Sequence, residues 1–569
     1  MCIKGDYKMK MSLLFPNQDL NFRKLSDETI HDIGMDSIIN KLTKKENEQT
    51  YIRNVMRMLT DDVDNAIYRC DIFDDIYRNK EMREKLMELL DRINFLRDYG
   101  SYKHDHDHDP STWDLMHRLE EINDYIECID AIHKCLDGAD IHSKGLIDLR
   151  NYVASLYNDN GFGELKKDIK ALRADTSCLK SVTVGINLNE RFEACGIGII
   201  SINNKPFTKS TLVSHFMDKV SGKDNIHDGT DWNEDYKFDE FTAKSPNAAK
   251  TPIVMPAFSP LALMSLRNIS EADDQGRSIT NYMDSLTDRL LSQTVRHLRD
   301  VLGRYTTLTI TDITDLMPEF TYYIRWVEFI ESQTGKGFKF CKSEPEQNDV
   351  SMDATGVYNI KLLESSELKS ADVVTNKLDF SREHCFYILT GANRGGKTTI
   401  TQAIGQLFFM AQGGIYVPGT SFKFTPVDAI YTHFPADEDK TLDLGRLGEE
   451  CKRFKEIYEQ ATEKSLLLLN ETFSTTSFEE GYYIAKDCEK AILEKGVRTI
   501  YNTHMHKLAF EVDELNAASP RSKAASLIVR TDEGGKRSYE VEIAPPEGMS
   551  YANDIAKKYG VTYEMLAGK

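Results

Sequence analysis

The sequence has no run of about 18 apolar residues, so no helix crossing a bilayer is expected. It has no C-x-x-C pair either. Its 10 cysteines are scattered from Cys2 to Cys488. That spacing signals neither a zinc site nor a disulfide framework. Free thiols in a reducing cytoplasm are the simple expectation. The opening stretch MCIKGDYKMKMSLLFPNQDL lacks a long apolar core with a small-residue cleavage site, so no secretory signal is read. Positive charge is scarce: 71 Lys and Arg face 91 Asp and Glu, a formal net charge of −20. This excludes a bulk basic surface that coats nucleic acid, because phosphate binding needs clustered Lys and Arg. A local basic channel stays open.

At 569 residues the chain is too long for one compact core, and about three to five domains are expected. Residues 25–173 carry few glycines and prolines and follow a helical period. Met56, Leu59, Val63, Ile67 and Tyr68 mark one face, and Met82, Leu86, Leu89, Leu90 and Ile93 another. The alternating tract from His104 to Asp109, before Pro110, interrupts them. It reads as a solvated loop or a metal-binding run. Val182, Val184, Ile186 and Leu188 then alternate with small or polar residues, as in a strand, and Gly196, Gly198, Ile199 and Ile200 suggest a second. Residues 222–250 are polar and expected to be loop. A long helix is expected over 278–305, with Ile279, Met283, Leu286, Leu290, Leu298, Leu302 and Tyr305 as its seam. A second helix carries Phe320, Tyr323, Ile324, Val327 and Ile330. On the first, Arg289, Arg296, His297, Arg299 and Arg304 either face DNA phosphates or form a solvated face with Asp284, Asp288 and Asp300. From about residue 356, short apolar runs alternate with helical stretches, the pattern of a largely parallel sheet with flanking helices.

The sharpest motif is Gly391-Ala392-Asn393-Arg394-Gly395-Gly396-Lys397-Thr398-Thr399, a full G-x-x-x-x-G-K-[ST] between an apolar strand (386–389) and a helix (400–410). Glycines let backbone N–H groups curl toward phosphate oxygens, and the helix N-terminus adds a favourable dipole. Lys397 supplies charge to the β- and γ-phosphates, and Thr398 a hydroxyl to Mg²⁺. Leu466-Leu467-Leu468-Leu469 suits a strand covered on both faces. It ends in Asn470, facing the Mg²⁺ shell, and Glu471, a candidate general base for the attacking water. A third strand ends in Thr503-His504. His504 is placed to sense the γ-phosphate or orient the water, although a lone histidine there also serves structure.

Together these elements resemble the ATPase domain of the MutS family of DNA mismatch-repair proteins. Residues 390–399 follow its T-G-x-N-x-G-G-K-[ST]-T loop, and residues 411–418 its A-x-x-G-x-[FY]-V-P segment. Ala461-Thr462 to Asn470-Glu471, Thr476-Ser477, Thr503-His504 and residues 550–556 fall on further motifs. Residues 61–84, 182–201 and 278–331 resemble the family's helical core, clamp and lever helices more weakly. Three positions depart from the pattern. Asn470 stands where the family has its Walker B aspartate, which implies slow hydrolysis. Residues 443–450 lack the serine of the subunit-crossing signature, leaving Gly445 and Gly448 to donate backbone N–H groups. Val373 and Val374, with Asn376, stand where an aromatic residue meets the adenine. No F-x-E wedge in a mismatch-reading domain is found, and no nuclease-type domain is read after Tyr563.

The resemblance implies a multi-domain α and α/β fold. A helical core and lever domain with a small β clamp insert precedes a C-terminal P-loop ATPase of ABC type with a mostly parallel sheet. The expected segments are 1–24 (N-terminal segment), 25–180 (helical core), 181–260 (clamp-like insert and loop), 261–340 (lever helices) and 341–569 (ATPase). It further implies ATP and Mg²⁺ as ligands, a head-to-tail homodimer gripping double-stranded or branched DNA, no membrane association, and a cytoplasmic, nucleoid-associated place. The alternative is a slow or non-hydrolysing, ATP-gated scaffold for a non-DNA partner.

Overall fold

The structure is a computed structural model. It describes residues 11–17, 19–99, 112–176, 181–188, 190, 194–203, 292–302, 316–348, 350–365, 368–391, 395–435, 445–531, 537–546 and 559–567. The tract from His104 to Asp109, residues 222–250, Arg289, Arg304, the loop residues Ala392, Asn393 and Arg394, and residues 550–556 lie outside them.

In chain order the helices are α1 (Asp27–Asp32), α2 (Met35–Leu42), α3 (Glu46–Met56), α4 (Val63–Arg78), α5 (Lys80–Tyr99), α6 (Thr112–Asp137), α7 (Lys144–Tyr157), α8 (Asn160–Thr176), α9 (Ser292–Leu302), α10 (Met317–Thr334), α11 (Lys397–Gln412), α12 (Gly445–Gln460), α13 (Phe478–Lys495), α14 (His506–Phe510), α15 (Val512–Ala518) and α16 (Tyr563–Ala567). The strands are β1 (Arg23–Lys24), β2 (Met58–Leu59), β3 (Ser181–Leu188), β4 (Ala194–Asn203), β5 (Phe340–Cys341), β6 (Ser343–Pro345), β7 (Met352–Val357), β8 (Asn376–Phe380), β9 (Phe386–Thr390), β10 (Val417–Pro418), β11 (Ser421–Phe424), β12 (Ile430–His433), β13 (Leu466–Asn470), β14 (Arg498–Asn502), β15 (Ala524–Thr531) and β16 (Arg537–Ile543). Their starts and stops follow local chemistry. The Asp62 carboxylate accepts the Asn65 N–H to open α4, and the Ser477 hydroxyl accepts the Glu480 N–H to open α13.

The chain divides into two compact units. One comprises residues 1–5, 91–133 and 153–311. In it Leu119, Ile122, Ile126 and Ile129 of α6 and Leu165, Ile169 and Leu172 of α8 are buried, and α9 packs on α8. The Lys166 ammonium pairs with Asp130 at 2.5 Å and lies over the Tyr157 ring. β3 and β4 form the expected antiparallel hairpin, with Val184 opposite Ile199. On α9, Arg296, His297 and Asp300 are all exposed.

The other unit comprises residues 6–90, 134–152 and 312–569. Its main sheet has the order β12-β13-β14-β9-β15-β16, parallel except for β16 at one edge. Leu466, Leu467, Leu468 and Leu469 are buried because α11 covers one face and the α13 core covers the other. A mixed sheet of order β6-β11-β7-β8 lies in the same unit. α11 is buried along nearly its whole length. Gly405 makes this possible: a Cβ there would lie 2.7 Å from both Ile33 and Leu468. The polar side chains of α11 are spent on its surroundings. Gln402 donates to the Asp32 carbonyl and Gln406 to the Ile33 carbonyl. Gln412 donates to the Thr60 and Val427 carbonyls.

At the C-terminal end of α11 sits Arg69 of α4, fully buried. Its guanidinium donates to the Gln412 carbonyl (3.0 Å) and the Leu14 carbonyl (2.7 Å) and lies over the Phe15 ring. A cation is favoured there by the helix dipole, and the Tyr322 hydroxyl caps the next carbonyl, Gly413, at 2.7 Å. Arg69→Ala is expected to leave two buried carbonyls unpaired and to lower the unfolding free energy by about 2–4 kcal/mol. Urea unfolding of the two proteins checks this, and a loss under about 0.5 kcal/mol would contradict it.

Candidate functional site

Parallel sheets present ligands at the carboxyl ends of their strands, and here three of those ends meet. β9 runs through Thr390 to Gly391, and Gly396 (φ 96°) opens α11 at Lys397. β13 ends at Asn470, which pairs in register with Asn502 at the end of β14. The next residue, Glu471, has φ 51°, and its N–H donates to the Asn502 carbonyl at 2.8 Å. A left-handed glutamate costs roughly 1–2 kcal/mol, and such strain concentrates where side chains are aimed at a site.

The Lys397 ammonium donates to the Gly391 carbonyl at 3.0 Å. Burial lowers its pKa, with the Glu471 charge opposing that shift. The Thr398 hydroxyl donates to Asn470 Oδ1 at 3.1 Å. Asn502 Nδ2 donates to the Thr398 hydroxyl oxygen at 3.2 Å and also to Asn470 Oδ1. His504 Nε2 and Glu471 Oε1 are 2.8 Å apart. Thus Lys397, Thr398, Asn470, Glu471 and His504 are brought together at one edge.

A cleft of about 490 Å³ opens there, with Gly395, Gly396, Lys397, Thr398, Thr399 and Glu471 at one end. Val357, Leu362, Leu368, Val373 and Val374 add an apolar wall. Asn376 also lines it, but its amide is committed to β16: Nδ2 donates to the Tyr539 carbonyl (3.2 Å) and Oδ1 accepts the Val541 N–H (2.8 Å). These bonds hold Tyr539 (φ 60°) beside Gly396, where a Cβ would lie 3.3 Å from its ring. A larger cavity, about 1020 Å³, lies at the amino ends of the strands near Asp61, Lys464 and Cys385. It contains none of Gly395, Gly396, Lys397, Thr398, Asn470, Glu471 and His504 and faces the edge that parallel sheets do not use for ligands.

Sequence reasoning missed Asn502, Tyr539, Asn359 and His433. Asn359 donates to the Thr399 carbonyl at 2.9 Å and so ties the apolar wall to α11. His433, at the end of β12, is buried. Its Nε2 faces the Glu450 carbonyl of α12 (3.2 Å), and its Nδ1 faces the hydroxyl of Thr472, next to Glu471 (3.0 Å). A carbonyl only accepts, so Nε2 carries the proton, and the one Thr472 hydroxyl proton is shared between Nδ1 and the His433 carbonyl (3.3 Å). Burial, reinforced by the Arg453 charge, lowers the His433 pKa to about 4.

For a nucleotide the residues fit: a glycine-rich turn, an ammonium and a helix N-terminus serve phosphates, and an apolar wall suits a base. For a divalent cation they offer the neutral oxygens of Thr398 and Asn470. The described chain is thus a mixed helical and α/β protein with a cleft at the carboxyl edge of a mostly parallel sheet. A family model for MutS domain V matches residues 387–566, and one for the MutS2 N-terminal domain matches residues 61–334. The chain belongs to the MutS family, whose domain V is the ATPase domain.

Among its relatives, an endonuclease MutS2 of Thermus thermophilus is 29% identical over 197 residues, 34% of this chain and 25% of the relative. A DNA mismatch repair protein MutS of Chlorobium chlorochromatii is 32% identical over 205 residues, 34% and 23%. One from Thermus aquaticus is 29% identical over 199 residues, 35% and 24%. The chain therefore matches about a quarter of the length of these curated relatives. Among the described residues no helix is long and apolar enough to cross a membrane.

Between its lowered folded pKa and the ordinary value of 6.5, the folded chain holds His433 with fewer protons than the unfolded chain does. Stability therefore rises with pH through that window and is lost as pH falls from 6.5 toward about 4, by on the order of 3 kcal/mol. His433→Gln is expected to flatten that part of the stability curve. Parallel curves for the two proteins would contradict the assignment.

Proposed function

We propose that this chain binds and hydrolyses ATP at the Lys397 cleft and acts as a nucleotide-gated, DNA-binding dimeric clamp in mismatch repair or recombination. The observation that carries the reading is the convergence of Lys397, Thr398, Asn470, Glu471 and His504 at one sheet edge, with Lys397, Thr398 and Glu471 lining the cleft and Asn470 and His504 bonded to them. In this reading the loop from Gly391 through Ala392, Asn393 and Arg394 to Thr399 wraps the phosphates. Val373 and Val374 take the base, with Tyr539 at its edge. Lys397 exchanges the Gly391 carbonyl for phosphate oxygens. Thr398 and Asn470 are the residues that would hold Mg²⁺, which when bound neutralises charge on the phosphate oxygens. Glu471 takes the proton of the attacking water, with His504 holding the carboxylate in place.

The family's names supply the DNA-repair context, since the relatives are called DNA mismatch repair protein and endonuclease. The dimer reading draws on α12, whose N-terminus begins at exposed Gly445 (φ 71°). First-turn N–H groups of a helix have no partner within it, so Gly445 and Gly448 present donors to a phosphate on a second chain. The segment division given above, with the ATPase over 341–569, belongs to the same reading. A slow, ATP-gated scaffold for a non-DNA partner is the second reading, favoured by neutral Asn470 and the net charge of −20.

Lys397→Ala is expected to abolish ATP binding with the far-UV spectrum unchanged, and unchanged affinity would refute the site. Glu471→Gln should keep binding and lower turnover by roughly 10²–10⁴-fold. Steady-state hydrolysis with and without homoduplex, mismatched, branched and single-stranded DNA separates the two readings. Stimulation by one of them supports the clamp. Absence of both binding and stimulation supports the scaffold.

A further inference from the structure

We infer that Asn502 locks the Thr398–Asn470 pair into a charge-neutral network, so that ATP binding at this cleft is nearly independent of a divalent cation. The inference rests on the nucleotide reading of the cleft and concerns how that site is balanced.

Three side chains from three elements make the network. Asn470 and Asn502 are opposite each other at the ends of β13 and β14, and both are buried. The Asn502 amide gives its N–H groups to the Thr398 hydroxyl oxygen (3.2 Å) and to Asn470 Oδ1. The Thr398 hydroxyl gives its proton to Asn470 Oδ1 (3.1 Å). Asn470 Oδ1 therefore accepts two hydrogen bonds, which use both lone pairs of a carbonyl oxygen. The Thr398 oxygen accepts one, which leaves it a single lone pair. None of the three side chains carries charge.

A magnesium ion demands near-octahedral oxygen ligands, sheds water reluctantly, and is ordinarily bound through carboxylates together with the phosphates. Here the Thr398 and Asn470 oxygens are neutral and already engaged by Asn502, and the Glu471 carboxylate in the same cleft is paired with His504. A cation must displace an amide N–H from Thr398 or Asn470 before it gains either. Phosphate binding, by contrast, draws on the Lys397 ammonium and the N-terminus of α11, which need no metal. A further observation points the same way: Asn502 Oδ1 is buried with no hydrogen-bond partner. Buried acceptors are nearly always satisfied, and the exceptions call for a reason. The arrangement keeps both amide donors on Thr398 and Asn470 at the cost of the amide's own oxygen. Asn502 is thus a positioning residue: it acts on the ligand through Thr398 and Asn470.

The test measures the ATP affinity of the full chain by isothermal titration calorimetry, once with magnesium chloride and once with EDTA. For the unmodified chain the two dissociation constants should agree within roughly threefold. Asn470→Asp restores a carboxylate, which repels phosphate without metal and attracts the cation, so magnesium should then tighten binding by about tenfold or more. Asn502→Ala adds no charge but frees both oxygens, and should move the ratio in the same direction. A ratio of about tenfold in the unmodified chain overturns the inference while leaving the nucleotide site intact. So does an Asn502→Ala variant that folds normally yet keeps the unmodified ratio. Should Asn502→Ala misfold, Asn470→Asp decides: binding indifferent to magnesium in that variant contradicts the network's role. No ATP binding in either buffer overturns the nucleotide reading and this inference with it.

Discussion

The ligand-facing half of this chain depends on a helix that is buried on almost every side. A buried helix must have its polar side chains and its end groups satisfied by protein. In α11 the glutamines at 402, 406 and 412 meet backbone carbonyls from three separate segments, and Arg69 and Tyr322 take the carbonyls at its C-terminal end. The first turn is thereby fixed against the sheet, with its N–H groups aimed at the strand ends. The dipole has a buried cation at one end and the Lys397 turn at the other, an orientation that favours an anion at the cleft. Gly405 permits this close seating, because any side chain would meet Ile33 and Leu468.

Around that helix the site combines two kinds of group. Lys397 and Glu471 carry charge, and Glu471 and its partner His504 are partly exposed to solvent. Thr398, Asn470 and Asn502 form a neutral, hydrogen-bonded floor between them. His433 ties the turn after Glu471 to α12 through Thr472 and the Glu450 carbonyl. The turn that carries the candidate base is thus braced from two sides, by β14 and by β12.

Much of this was legible in the sequence because it is local. The apolar strand, glycine turn and helix around Lys397 lie within one short stretch, and the leucine run names its own burial. Val373 and Val374 were placed by resemblance, and they do line the cleft. The rest depends on partners far apart in the chain. Asn502 gains its role from Asn470 and Thr398, and nothing in Tyr501-Asn502-Thr503 announces them. Tyr539 reaches the cleft from an antiparallel edge strand through a positive φ that no aromatic residue signals. Arg69 sits in an amphipathic helix, where an arginine ordinarily reads as solvent-facing, yet it is among the most deeply buried side chains. Asn376 also lines the cleft, and its amide holds the backbone of β16 as well, which the sequence does not signal. On α9, alternating charge left the DNA question open, and the exposure of Arg296, His297 and Asp300 together leaves both signs facing solvent.

The most direct test of the central claim is a crystal structure of this chain with a non-hydrolysable ATP analogue. The expected result has the Lys397 ammonium on a phosphate oxygen at about 2.7–3.2 Å, the triphosphate along the first turn of α11, and the adenine against Val373 and Val374 beside Tyr539. An analogue found in the cavity at the amino ends of the strands, with Lys397 still on the Gly391 carbonyl, would contradict it.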